Sequence, residues 1–323
     1  MWTDNLDRQK LVKAAYQKGR ELNLSNENYV NWLDAFFTKE YGEDVNGGDI
    51  TSNSVLTKNV AKTAILKAKS PGIVAGLEEV CWFLSNHGLE VRVCKKDGEE
   101  LLNGDTVLEI CGKQKDILAT ERIALNVLQR MCGIATETKR LTDLLRRYHT
   151  QIAATRKTLL KYLDKKAVFL GGGLTHRFGL WDSVLIKDNH LETLKSEGIT
   201  EYIEVALSRA STAADMIDFI EIETTSHEEA IRAARKFKSL QLKTPCIIML
   251  DNMKPDLIKK TLKTLRDVDL YDTVLFEASG DITPENITDY AQTGVDVVSL
   301  GYLTHSVKVL DLSLEMTICK LIS

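Results

Sequence analysis

Between Thr155 and His190 the chain gathers Arg156, Lys157, His176, Arg177 and Lys187, interleaved with a triple glycine and short apolar runs. The formal net charge of the whole protein is -4, so this cationic concentration does not follow from bulk composition. Arginine holds carboxylates and phosphates through paired hydrogen bonds, and lysine supplies a compact point charge. Together they suit a pocket for a small, highly anionic molecule. Solvated basic surfaces are usually lysines with polar spacers, whereas these residues stand at the ends of apolar segments. Enzymes built on parallel β/α barrels carry their reactive side chains there. The competing reading is a set of solvated loop charges, and His176 alone is as readily a structural hydrogen-bonder.

Carboxylates form the second constellation. Glu221 and Glu223 stand two apart in I-E-I-E, so on a strand they face one way while Ile220 and Ile222 face the other. Asp251 ends the next apolar run, and the three carboxylates are expected to converge. Buried carboxylates need cations or donors. A ribose with Mg²⁺ would supply both, and pairing with an internal lysine or arginine is the alternative. Ser279-Gly280 and Gly301 close the last two runs, and backbone amides at such turns bind phosphate. Glu204 lies in helical flanks, His305 reads as structural, and Asp49 in G-G-D-I-T reads as a turn cap.

The elements that must position these groups are legible as patterns. Residues 1–45 look helical, with Leu11, Val12, Ala15 and Tyr16 and then Tyr29, Trp32, Leu33, Phe36 and Phe37 at helical spacing. A loop is expected over 43–52, followed by strand-like A-K-T-A-I-L-K-A, L-E-V-R-V-C and D-T-V-L-E-I-C, with a helix ending at Gly88. A long helical pattern from about Asp116 joins this small α+β domain to the rest, with a bend expected at Gly133. Six apolar runs then alternate with helical patterns, beginning at Q-I-A-A-T-R-K and ending at V-D-V-V-S-L-G. That alternation predicts a parallel sheet, two strands short of a full barrel. The expected division is 1–135 for the first domain, with a tail at about 306–323 packing back on it, and 136–305 for the barrel.

Composition narrows the classes. Hydrophobic content of 44% and charged content of 27% over 323 residues describe a globular protein with a core that needs no staples. The pI of about 6.0 argues against nucleic acid as a partner. Six cysteines without paired spacing argue against zinc and read as buried thiols. No run approaches a membrane span and no signal-peptide core opens the chain, so a cytoplasmic address is expected.

Nearly end to end, the sequence resembles the quinolinate phosphoribosyltransferases. The resemblance is carried by G-D-I-T-S (48–52), T-E-R-I-A-L-N-V-L-Q-R-M-C-G-I-A-T (120–136), T-R-K-T (155–158) and G-G-G-L-T-H-R-F-G-L (171–180). It continues through L-I-K-D-N-H (185–190), I-E-I-E (220–223), M-L-D-N-M (249–253), F-E-A-S-G (276–280) and S-L-G-Y-L-T-H-S (299–306). It implies an amino-terminal α/β sandwich domain, an open six-stranded β/α barrel and a homodimer, or an assembly of dimers, with shared active sites. It implies that Thr155, Arg156, Lys157, His176, Arg177 and Lys187 bind quinolinate and phosphoribosyl pyrophosphate. Arg122 matches an arginine lent across the dimer interface. Glu223 and Asp251 match the ribose and Mg²⁺ carboxylates, and Ser279, Gly280 and Gly301 the phosphate turns. Catalysis then falls to Lys157, Lys187, Glu223 and Asp251. The chain departs from the family after Thr158, where a Pro-Gly and an arginine are missing, and at Asp281 and Tyr302. These departures leave open a paralogue acting on another aromatic acid or base, or a non-catalytic relative that binds phosphorylated metabolites.

Overall fold

The computed structural model describes residues 5–317. The chain opens with α1 (Asn5–Tyr16), α2 (Glu27–Val45), α3 (Ile50–Val55), β1 (Ala61–Ala68), β2 (Gly72–Ile73), α4 (Leu77–Asn86), β3 (Glu90–Val93), β4 (Glu100–Leu101) and β5 (Thr106–Lys113). It continues with α5 (Gln114–Leu144), β6 (Gln151–Ala154), α6 (Lys161–Leu170), β7 (Val184–Ile186), α7 (Asp188–Ser196), α8 (Tyr202–Ala210), β8 (Ile220–Thr224) and α9 (His227–Leu240). It closes with β9 (Cys246–Asp251), α10 (Pro255–Asp267), β10 (Leu275–Ser279), α11 (Ile287–Ala291), β11 (Val297–Leu300), α12 (Tyr302–His305) and β12 (Leu312–Thr317). Contacts divide it into two compact units. One takes the chain up to Lys18, Arg140–Lys161 and Gly173–Ser306; the other takes Gly19–Lys139, Tyr162–Gly172 and the chain from Val307. The division therefore falls inside α5. Among the described residues no helix is long and apolar enough to cross a membrane.

In the first unit six parallel strands lie in the order β6-β11-β10-β9-β8-β7. Among the described residues β6 and β7 stand at opposite edges without pairing to each other, so the barrel is open. Strands buried on both faces read as continuous apolar runs, and β9, C-I-I-M-L-D, is buried through Leu250. Its neighbouring helices bury one stripe each: Ala230, Ala233, Ala234 and Phe237 of α9, and Ile258, Leu262 and Leu265 of α10. Ser226 caps α9 by accepting the Glu229 N–H, and Pro255 opens α10 where its missing N–H is harmless.

The floor of this sheet is made by α1. Val12, Ala15 and Tyr16 cluster with Phe219, Ile247, Leu275 and Val297, residues at or beside the amino-terminal ends of β8 to β11. Arg8, 4% exposed, donates from Nε and Nη2 to Asp296 at 2.9 and 2.6 Å and from Nη2 to the Val274 carbonyl at 2.9 Å. The helix thus groups with the barrel strands, whereas the sequence reading assigned it to the amino-terminal domain. Its apolar stripe was visible in the sequence, but the surface it meets is far away along the chain.

In the second unit an antiparallel sheet runs β12-β1-β5-β3. The tail reading is described as far as Thr317, which lies opposite Thr63, and residues 318–323 lie outside the described residues. Phe37 of α2 stacks on Phe83 of α4 at 4.5 Å. The buried Glu79 accepts from Lys166 and, at 2.9 Å, from the Tyr29 hydroxyl. The expected loop at 43–52 is shorter, because α3 starts at Ile50, capped by Asp49 accepting the Ser52 N–H at 2.9 Å. Helix α5 continues unbroken through Gly133. A Cβ there would lie 2.3 Å from the Lys308 carbonyl oxygen, so the glycine serves close backbone packing. Cys132 and Cys246 are buried thiols, pushed up to about 12 by burial, but Cys94 is exposed.

Candidate active site

At the carboxyl ends of the six parallel strands lies a cavity of about 790 Å³, within the usual size of small-molecule sites. It is lined by Thr155, Arg156 and Lys157 after β6, by His176 and Arg177 before β7, and by Lys187 after it. Glu223 of β8, Asp251 of β9, Ser279 and Gly280 at the end of β10, and Gly301 after β11 also line it. Of the residues anticipated for the site, all but Arg122 and Glu221 therefore meet in one space. Arg122 is an exposed residue of α5 and is not among the lining residues.

Local structure explains how the lining is held. The Lys187 N–H donates to His190 Nδ1 at 2.9 Å, and the His190 N–H returns to the Lys187 carbonyl at 2.9 Å, fixing the step from β7 into α7. Lys187 Nζ then reaches Glu223 Oε1 at 2.6 Å. Gly280 has φ of 90°, and a Cβ there would fall 2.2 Å from Asn252 Oδ1, so only glycine allows the two strand-end turns to meet. Asn252, itself left-handed at φ 54°, donates from Nδ2 to Asp251 Oδ2 at 2.7 Å.

The charges are unevenly matched. Among the described residues no carboxylate pairs with Arg156, Lys157 or Arg177 within 4.0 Å. Arg177 is 5% exposed and donates from Nη1 to the Ser183 carbonyl at 3.1 Å. Burial and the nearby Arg156 pull its pKa down, although a guanidinium stays cationic. Burial raises the Asp251 carboxyl above its ordinary value. Glu223 and Asp251 each keep one oxygen without a protein hydrogen bond among the described residues. Two hard oxygen donors facing a polyanion site fit Mg²⁺, which is usually held by one or two carboxylates and substrate phosphates.

Glu221 does not join Glu223 and Asp251. It lies deeper, fully buried, and meets a carboxylate that sequence reasoning missed, Glu277 of β10. The Tyr16 hydroxyl donates to Glu277 Oε2 at 2.7 Å and to Glu221 Oε1 at 3.2 Å. His176 Nε2 stands 3.4 Å from an oxygen of each. The signal for Glu277 was its place two residues before Ser279, on the same strand face. Burial opposes charge on His176, but Glu277 and Glu221 lift it to about 9; Glu221 is lifted to about 7 by burial and by Glu277. Against this, His176 Nδ1 accepts the Arg177 N–H at 2.7 Å, which requires a lone pair there. A neutral ring with one protonated carboxyl carries the same proton count as an imidazolium between two carboxylates. The hydrogen bond at Nδ1 selects the neutral ring.

Comparison with known proteins decides which family this geometry belongs to. Residues 49–132 match the model of the quinolinate phosphoribosyl transferase N-terminal domain, and residues 134–315 that of the C-terminal domain. The chain belongs to the quinolinate phosphoribosyltransferase family. It is 39% identical over 279 residues to the probable nicotinate-nucleotide pyrophosphorylase (carboxylating) of Methanocaldococcus jannaschii, covering 84% of this chain and 93% of that one. To the corresponding Mycobacterium leprae protein it is 33% identical over 281 residues, covering 85% and 93%. Among solved structures, NadC from Streptococcus pyogenes superposes with a TM-score of 0.78 at 31% identity, covering 90% of this chain and 98% of that one. The Francisella tularensis nicotinate-nucleotide pyrophosphorylase gives 0.77 at 30%, covering 89% and 96%.

Proposed function

We propose that the protein transfers phosphoribose from phosphoribosyl pyrophosphate to the ring nitrogen of quinolinate, releasing pyrophosphate and CO₂ and forming nicotinate mononucleotide for NAD biosynthesis. The observation that carries this reading is the cavity's combination of two chemistries. Among the described residues Arg156, Lys157 and Arg177 bring positive charge with no carboxylate within 4.0 Å, while Lys187 pairs with Glu223, and Asp251 and the glycine turns complete the lining. Arg156, Lys157, His176, Arg177 and Lys187, with Thr155, receive the acid's two carboxylates and the donor's phosphates. Ser279, Gly280 and Gly301 line the cavity at strand-end turns, whose backbone amides suit phosphate.

Bond breaking at the ribose carbon develops oxocarbenium character, so the chain's contribution is positioning and charge stabilisation. Glu223 and Asp251 would orient the ribose and hold Mg²⁺, whose charge neutralises the departing pyrophosphate. Lys157 and Lys187 stabilise the negative charge left on the ring as CO₂ departs. The same reading has the enzyme in the cytoplasm as a homodimer, with Arg122 completing the neighbouring subunit's site. The shortened segment after Thr158 adjoins Thr155, Arg156 and Lys157 of the cavity and favours one second reading, the same transfer to another aromatic acid.

The test is turnover with phosphoribosyl pyrophosphate and Mg²⁺, comparing quinolinate with nicotinic acid. Nicotinic acid lacks the second carboxylate and leaves part of the cationic lining unpaired, a strong source of discrimination. Quinolinate is expected to yield nicotinate mononucleotide, and nicotinic acid to be a poor substrate. Equal use of both acids, or of neither, would overturn this account of the cavity.

A further inference from the structure

We propose that Tyr16 is a positioning residue for His176, acting through Glu221 and Glu277, so that the end of α1 sets the His176–Arg177 edge of the cavity. The inference rests on the functional reading above. His176 adopts a left-handed backbone at φ 54°, which a non-glycine residue keeps only when its surroundings over-determine it. The surroundings here come from the last residues of α1 and the two after it. The Tyr16 carbonyl accepts the His176 N–H at 3.0 Å and the Thr175 hydroxyl at 2.8 Å, while the Lys18 N–H donates to that hydroxyl at 2.9 Å. Lys18 Nζ also pairs with Asp182, which in turn accepts the Phe178 N–H. The segment carrying His176 and Arg177 is thereby gripped on both sides.

The ring is fixed as tightly as the backbone. It meets the Tyr16 ring edge-on at 4.6 Å and the Phe219 ring at 5.5 Å. Nδ1 accepts the Arg177 N–H, and Nε2 faces the two carboxylates that the Tyr16 hydroxyl bridges. Arg177 is therefore tied to the ring through its own backbone. Neither Tyr16 nor Glu221 lines the cavity, so both act through His176. His176, Glu221 and Glu277 also have the spacing of a metal site. A metal on Nε2 would force the ring proton onto Nδ1, against the Arg177 N–H, so the geometry favours a proton network.

Tyr16→Phe tests this, because it keeps the ring contacts and removes only the hydroxyl. The KM for quinolinate or for phosphoribosyl pyrophosphate, whichever the His176–Arg177 edge receives, should rise about tenfold, the scale of one lost buried hydrogen bond. In the ligand-free protein at neutral pH, ¹⁵N spectra of the His176 imidazole should show the Nε2–H tautomer. Tyr16→Phe and Glu221→Gln should each replace that signal by a mixture. An active wild type, with both KM values and both variants' spectra unchanged, would overturn the inference. If the wild type does not turn over quinolinate, the functional reading fails, and the imidazole spectra alone decide the positioning role.

Discussion

Arg156 and Lys157 are cations facing a cavity without a carboxylate partner, and they were legible because their types are rare at the end of an apolar run. Glu277 was not, since a carboxylate inside F-E-A-S-G looks like a strand residue until its partners are known. Glu221 was misassigned for a related reason: alternation gives the face of a strand but not the depth. Its carboxyl is lifted from 4.5 to about 7, by burial first and then by Glu277. An acid raised in the folded state takes up a proton on folding. Its stabilisation is complete below 4.5 and is lost as pH rises through about 7. Relative to Glu221→Gln, the wild type should therefore lose melting temperature between roughly pH 5 and pH 8, as measured by scanning calorimetry. A difference that stays constant over that range would mean that Glu221 does not titrate within it.

The six parallel strands were legible as short apolar-rich runs ending at polar or glycine positions, unbroken in β9 and interrupted by Glu221 in β8 and Glu277 in β10. Helix α1 was legible as a stripe of Leu11, Val12, Ala15 and Tyr16, but periodicity names a face and never the partner it packs on. Gly133 shows the same limit: the close backbone approach that requires it comes from Lys308, far along the chain. The anchoring of α1 carries its own expectation. Arg8→Ala strands the Asp296 carboxylate, which is 10% exposed, beneath the sheet. Breaking such a buried pair costs about 3–5 kcal/mol, to be read from urea denaturation. A loss of under about 1 kcal/mol would put the pair in the class of exposed ion pairs.

For the molecule as a whole, the proposed dimer predicts complementation. Arg122 is exposed on α5, and its proposed work lies in the neighbouring subunit's site. Arg122→Ala and Lys187→Ala, each inactive alone, should regain part of the activity when mixed, because one of the two sites in a hybrid dimer has both residues intact. Confirmed subunit exchange by mass spectrometry without recovered activity would restrict Arg122 to its own subunit or to none. Chain order carries a different consequence. Arg8 and Asp296 lie 288 positions apart, and Thr63 and Thr317 lie 254 apart, so each compact unit is closed by contacts between its first and last parts. A nascent chain leaving the ribosome cannot seal the barrel floor until Asp296 has been made, or cover the open edge of β1 until β12 has. Pairings this distant carry a large loop-closure entropy and form late. During synthesis both sheets wait with hydrophobic surface and an unpaired edge in water, the state most exposed to aggregation and to chaperone capture.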